Sequence, residues 1–491
     1  MACTAVLIAG LAGGAVAGAQ GAGAAATGPG RLSAADATGI SGPTRFTDPT
    51  GGNHHYRHGA VPRIVPSTPT PTPGVAGARV VPGPTTVPES PVVSGALVPA
   101  ARASSRLLTY GGGLTAGGLV HAGVTTGPPR VYLVFYGSQW GVEGINGAGH
   151  ATFSHDGAGE ANALQTLYAG LGTGGEQWSS IVTQYCDGVA VGATSCTGAG
   201  QAIPYPTGGV LAGVWYDSSP SATSGAQAGA TGHQLATEAA AAASHFGNTN
   251  QVSNRNTQYV IASPTGSNAD GWSDPTNGYC AYHDDTHDPT IDGGGAAAGP
   301  IVAFTNMPYV PDAGASCGAG SVNSPGVLDG ATEAASHEYA ETLTDQFPET
   351  SPPGGWSNSA GAEIGDLCAY ISAPHPGAAY DLGLATGTVA VQGLWSNRAK
   401  RGRGGCVQSA TVPPAITSVS PGSGPRGSSV TLTGTGLGGA TKVAFNGKRA
   451  VVTSDTATQI VATVPPRATS GPITVKTVAG TGTSATSFSV T

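Results

Sequence analysis

Two stretches of this sequence concentrate the residue types that hold cations and move protons: Glu333-Ala-Ala-Ser-His-Glu-Tyr-Ala-Glu-Thr-Leu-Thr-Asp345 and Gly361-Ala-Glu-Ile-Gly-Asp-Leu-Cys368. On a helix, His337 and Glu341 stand one turn apart on one face, where both side chains can reach a single ion. Glu338 lies about 100° round from His337, a direction from which it can take a proton from water activated by that ion. Glu363 and Asp366 offer further oxygen ligands. Zinc is the expected cation, although a carboxylate in the second position makes the ion less electrophilic and Mn²⁺ and Ca²⁺ more acceptable. The stripe Glu333, His337, Glu341 and Asp345 also fits a structural hydrogen-bond network or a solvated helix face. Against the solvated face stands the thrift of the chain, which is 9% charged where about 25% is usual.

The helix pattern resembles the His-Glu-x-x-His of metallopeptidases with Glu341 in the second ligand position, and with Glu363 and Asp366 the layout is similar to the glutamate zincins. The resemblance implies a zincin-like α/β domain, a mixed sheet with helices. It implies His337, Glu341 and Glu363 as metal ligands, Glu338 as catalytic base and Asp366 as the carboxylate holding His337. The expected activity is metal-dependent hydrolysis, with peptides as first substrates. Islands of the same region, Val131-Tyr-Leu-Val-Phe-Tyr-Gly137 and Gly278-Tyr-Cys-Ala-Tyr-His283, resemble the plant phosphate-induced, Exordium-like family. That likeness implies an extracellular, growth-related role without an established activity. His283, beside Cys280, fits either a cleft or a surface loop.

The elements that must position these residues are legible from composition. Dense β-branched and aromatic runs at 130–136, 210–216, 258–263 and 300–305 predict buried strands. Helices are expected over 159–171, 176–185, the Ala-rich 226–246 and 330–344. Strands alternating with helices make residues 105–411 an α/β domain. From Pro414 the pattern changes to short Val/Thr/Ser strands with Gly, Pro and Asn-Gly turns. Pro414-Ala-Ile-Thr-Ser-Val-Ser-Pro-Gly-Ser-Gly424, Gly427-Ser-Ser-Val-Thr-Leu-Thr-Gly-Thr-Gly-Leu437 and Val443-Ala-Phe-Asn-Gly447 resemble the IPT/TIG family. This implies an immunoglobulin-like β-sandwich over 412–491, serving as a spacer or for carbohydrate, surface or protein contact, and it brings no catalytic residue.

A chain of 491 residues suits two or three domains of roughly 100–200 residues. Residues 1–19, apolar and ending in Ala17-Gly18-Ala19, read as a secretory signal. Residues 20–104, with Pro66-Ser-Thr-Pro-Thr-Pro-Thr-Pro73, read as a disordered Pro/Gly-rich linker or pro-segment. Beyond Cys3, the cysteines fall in the middle region, and neighbourhood favours Cys186–Cys196, Cys280–Cys317 and Cys368–Cys406 among about 15 possible pairings. Disulfides imply an oxidising, extracellular compartment. The net charge of −8 contains no long basic run, which excludes nucleic acid and anionic membrane as partners. After the signal no run reaches the ~18 apolar residues of a membrane span. The chain is expected to be a secreted monomer acting on a peptide or a cell-surface polymer. The alternative function is a non-catalytic extracellular or cell-wall binding protein. His283-Asp-Asp-Thr-His-Asp-Pro289 suggests an acidic turn or a calcium loop without EF-hand register.

Overall fold

The computed structural model describes residues 107–491 except 198–199, 274–278, 292, 297–298, 349–353, 372, 411–413, 438–439, 441, 456–458 and 478–479, together with two short strands nearer the start. The expected signal, 1–19, lies outside the described residues. Within the expected linker, Thr44–Arg45 pairs antiparallel with Tyr56–Arg57, a ladder that the composition did not announce.

The middle region is built on strands β1 (Arg130–Tyr136), β2 (Leu211–Asp217), β3 (Thr257–Ala262), β4 (Tyr282–Asp285) and β5 (Ala303–Met307), in the order β4-β5-β3-β1-β2. β1 runs parallel to both β2 and β3, and β3 parallel to β5, while β4 is an antiparallel edge strand. The continuous apolar run of β1 fits this place, since a parallel strand is covered on both faces and needs no polar alternation. The covering helices are α1 (Glu160–Gly170), α2 (Pro220–Ala228), α3 (Gly232–His245) and α4 (Asp329–Thr344). Tyr132 meets Phe246 after α3, and Tyr136 approaches α2 at Gly225, so α2 and α3 take one face. Gln258 points to the other face, where its Nε2 reaches the Glu338 carbonyl and the hydroxyls of Thr305 and Thr342. α4 is thereby fixed across β3 and β5, and every one of its side chains is buried.

Two expected helices depart from expectation. Residues 226–246 form two helices rather than one, broken at Gly229, whose φ of +79° and close approach to the Asn268 carbonyl exclude a Cβ. Thr231 and Gln234 then restart the chain as a capping box. Residues 176–185 form only the short 3₁₀ turns Trp178–Ser180 and Val182–Gln184. There the Ser180 and Thr183 hydroxyls bond nearby carbonyls and compete with the helix ladder. The stretch expected as an acidic turn is in part the edge strand β4.

Disulfides join Cys186–Cys196, Cys280–Cys317 and Cys368–Cys406, with Cα separations of 5.8, 5.6 and 5.6 Å. The second ties the approach to β4 to the 3₁₀ segment Val310–Cys317 that precedes α4. The third ties the turn Asp366–Cys368 to the strand Gly405–Val407. Closing such loops contributes about 2–4 kcal/mol apiece through the unfolded chain.

Residues 415–490 form a β-sandwich. One sheet holds Ala415–Ser420, Ser429–Thr435, Gln459–Thr463 and Val451–Asp455; the other is centred on Gly480–Val490, Gly471–Thr477 and Lys442–Phe445. Alternation along Ser429–Thr435 sends Val430 and Leu432 inward against Phe445, Ile460, Ile473 and Phe488. The hairpin at Asn446-Gly447 carries positive φ at both residues, 41° and 82°, which an Asn-Gly turn supplies at little cost.

Candidate metal centre

His337, Glu338 and Glu341 project from α4 and are fully buried, which removes the solvated-face reading of that helix. The chain returns after α4 through the segment 361–368, which lays its backbone against the helix. Glu341 Oε1 accepts the backbone N–H groups of Gly365 (2.9 Å) and Asp366 (3.0 Å). Those bonds turn the Asp366 carboxylate towards His337, with 3.7 Å between Oδ1 and Nε2. His337 Nε2 also lies 3.0 Å from Glu341 Oε1, but the atom has no aligned hydrogen-bond acceptor among the described residues. One ligand atom from each of His337, Glu341 and Asp366 falls within 4.8 Å of the others. That spacing allows the three to share a common centre.

The orientation of the imidazole is set from behind. Gln392 Nε2 donates to the Gly365 carbonyl at 2.8 Å, so its Oε1 faces His337 Nδ1 at 3.1 Å. The hydrogen of a neutral His337 therefore belongs on Nδ1, which leaves the Nε2 lone pair for the shared centre.

A second gathering uses the edge strand. His283 on β4 is fully buried, with Nδ1 3.3 Å from Glu338 Oε2 and 3.7 Å from Glu341 Oε2, and Nε2 3.6 Å from Glu363 Oε2. His283, Glu338 and Glu341 likewise place ligand atoms within 4.8 Å of one another. Glu341 Oε2 and Glu363 Oε2 are buried without a hydrogen-bond partner among the described residues.

Electrostatics follow from this crowding. Burial opposes a charge on His337, but Glu341, with Asp366 and Glu338, outweighs it and raises the imidazole well above its ordinary value. Burial raises Glu341, and His337 pulls it partly back. Glu363 is pushed well up by burial and then by Glu341, Asp345, Asp366 and Glu338. Carboxylates crowded in this way oppose one another's ionisation, and a divalent cation would offset that repulsion.

The structure parts from the sequence reading in three places. Asp366, expected behind His337, stands on the side of the ligand atoms, and Gln392 takes the supporting position. Glu363, expected as the third ligand, joins the cluster through His283 and belongs to neither compact set. Glu338, expected as a free base, lies against His283. Glu333 stays out of the cluster and bonds the Ser321 hydroxyl. In the acidic run after His283, Asp284, Asp285 and Asp288 are buried and bonded chiefly to local backbone. Gln392 was missed, and His283, read only as fitting a cleft or a surface loop, was not expected in the cluster: a lone His after Cys280 and an amide in an apolar run carry no spacing signal.

Fold and site define a disulfide-bonded α/β domain with a buried His/carboxylate centre, followed in the same chain by an all-β module. Residues 414–490 match the model of the IPT/TIG domain, and the C-terminal sandwich is an IPT/TIG domain. No curated protein matches the chain. Among solved structures, similarity extends to an auxiliary nutrient binding protein from Bacteroides thetaiotaomicron, at 21% identity over 16% of this chain and 21% of that one, with a TM-score of 0.16. SGBP-B from a xyloglucan utilization locus in Bacteroides uniformis matches at 16% identity over 24% of this chain and 31% of its own, with a TM-score of 0.17. A surface glycan-binding protein from Prevotella bryantii matches at 21% identity over 16% and 22%, with a TM-score of 0.15. The chain thus spans less than a third of these structures' lengths. Among the described residues no helix is long and apolar enough to cross a membrane.

Proposed function

We propose that this is an extracellular protein whose zincin-like α/β domain holds a divalent cation and hydrolyses amide bonds, with the IPT/TIG domain as a spacer or surface-contact module. The observation that carries the reading is the convergence of His337, Glu341 and Asp366, whose ligand atoms lie within 4.8 Å of one another, with His337 Nε2 lacking an aligned hydrogen-bond partner among the described residues. Zinc is the proposed ion, and this oxygen-rich set also suits Mn²⁺. A cation bound there supplies Lewis-acid polarisation of a carbonyl and a nucleophilic water near neutral pH. The chain's own contributions are separable: Gln392 fixes the imidazole, Gly365 and Asp366 hold Glu341 by their N–H groups, and Glu338 takes the proton of the attacking water. The disulfides support an extracellular location.

A second reading, a non-catalytic binding protein at a cell surface or wall, is favoured by the IPT/TIG domain itself. Its partner would be a cell-surface polymer, a glycan before a peptide. Elemental analysis of the purified chain, joined to a chelator-sensitive assay against a broad peptide library and a glycan array, separates the two. Stoichiometric metal with chelator-sensitive cleavage establishes the hydrolase. Glycan capture by a chain that cleaves nothing when metal-replete establishes the binding protein.

A further inference from the structure

The two compact sets in the site share one member. Glu341 sends Oε1 towards His337 and Oε2 towards His283, and Asp366 and Glu338 complete the respective sets. A carboxylate whose two oxygens face two different imidazole/carboxylate pairs has the form of a bridge between two ions. From this we infer that the site takes two divalent cations rather than one: the first on His337, Glu341 and Asp366, the second on His283, Glu338 and the far oxygen of Glu341. Glu363 Oε2 lies 3.6 Å from the other nitrogen of His283, Nε2, and belongs to neither set.

Three observations support the second position independently of the first. Glu341 Oε1 already accepts two backbone N–H groups, while Oε2, fully buried, has no hydrogen bond among the described residues. His283 comes from an edge strand stapled by Cys280–Cys317 to the segment leading into α4, so its place against the helix is built rather than incidental. The number of ligands gives the third. Glu338, Glu341 and Glu363 meet His283, and Glu341 and Asp366 meet His337. Four carboxylates and two imidazoles are more ligands than a single four-coordinate ion takes. Carboxylate-bridged ions about 3.5–4 Å apart are a working arrangement for hydrolysis, one on each side of the reacting bond. In such a site Glu338 is a ligand, and the proton acceptor must be another group.

This inference rests on the metal-centre reading above, and the count of bound ions distinguishes their failures. The apo chain is loaded with Zn²⁺, freed of excess and analysed for metal, and a parallel sample is titrated with Mn²⁺ and followed by electron paramagnetic resonance. Two ions per chain are expected, with the isolated-ion Mn²⁺ spectrum giving way to a spin-coupled one as the second equivalent enters. His283→Ala should retain one ion and show only the uncoupled spectrum; Glu338→Gln should do the same. A single ion in the wild-type chain, lost in His337→Ala, would overturn the pair and leave the one-ion centre standing. No bound ion at all would overturn both. Two ions in His283→Ala would show the second position to be elsewhere and overturn this assignment. The Mn²⁺ titration of the unaltered chain decides the count even if a variant fails to fold.

Discussion

Gly365 lies so close to His337 that a Cβ on residue 365 would fall 2.7 Å from the imidazole Cγ and Nδ1. The glycine is needed for that approach and not for its backbone angles, which are ordinary helical values of −83° and −45°. Gly365→Ala must therefore push the ring out or the 361–368 segment away, and either movement also breaks the N–H bonds to Glu341. The expected result is loss of bound cation, at least tenfold in affinity, with the disulfides intact. Unchanged affinity by calorimetric titration would show that the segment does not position the site.

Gln392 tests orientation without touching the shared centre. Gln392→Ala removes the acceptor at Nδ1 and frees the ring to turn, and losing such a supporting partner typically costs about 10–100-fold in metal affinity. Gln392→Glu keeps an acceptor and should retain most of the affinity if orientation is the role. Equal loss in both variants would place the effect in packing instead.

How far the sequence revealed this site follows from what spacing can encode. His337 and Glu341 were legible because a helix repeats every 3.6 residues and fixes which side chains share a face. The choice between Glu363 and Asp366 was not, since the segment carrying them ends in a 3₁₀ turn whose direction depends on the N–H bonds to Glu341. His283 was left between a cleft and a surface loop because β4 holds only Tyr282–Asp285 and is buried throughout, so it shows neither alternation nor length. The C-terminal sandwich was the most readable part, because strand alternation and the Asn-Gly turn both act locally.

A third prediction concerns a pair remote from the site. Burial, and then Asp217, raise the Glu238 carboxyl to about 8. The folded chain therefore holds a proton that the unfolded chain releases near 4.5. Stability from this group is complete below that value and declines as pH rises towards 8, by on the order of 1 kcal/mol per pH unit. Glu238→Gln imitates the protonated acid at every pH. Denaturant unfolding at pH 5.5 and 8.5 should show a smaller decline in the variant than in the wild type. Parallel curves would mean that Glu238 ionises in the folded state without cost.

The last prediction uses the metal-centre groups and the effect of removing the cation. In the apo chain His337, Glu341 and Glu363 all hold protons more tightly than their ordinary values. For each, a raised value in the folded state means stability that is present at low pH and lost as pH rises, the carboxyls from above about 4.5 and the imidazole from above about 6.5. Cation binding has the opposite slope, because the ligands must shed those same protons before they can bind, so affinity strengthens over the same interval. Apo and metal-loaded forms should therefore diverge: between about pH 5 and pH 8 the melting temperature of the apo chain falls, while the increment on adding Zn²⁺ grows. Calorimetric scans of chelated and reloaded protein at several pH values measure both slopes at once. A Zn²⁺ increment that stayed constant across the interval would mean that no proton leaves on binding, and the ligands would then have to lie outside this cluster.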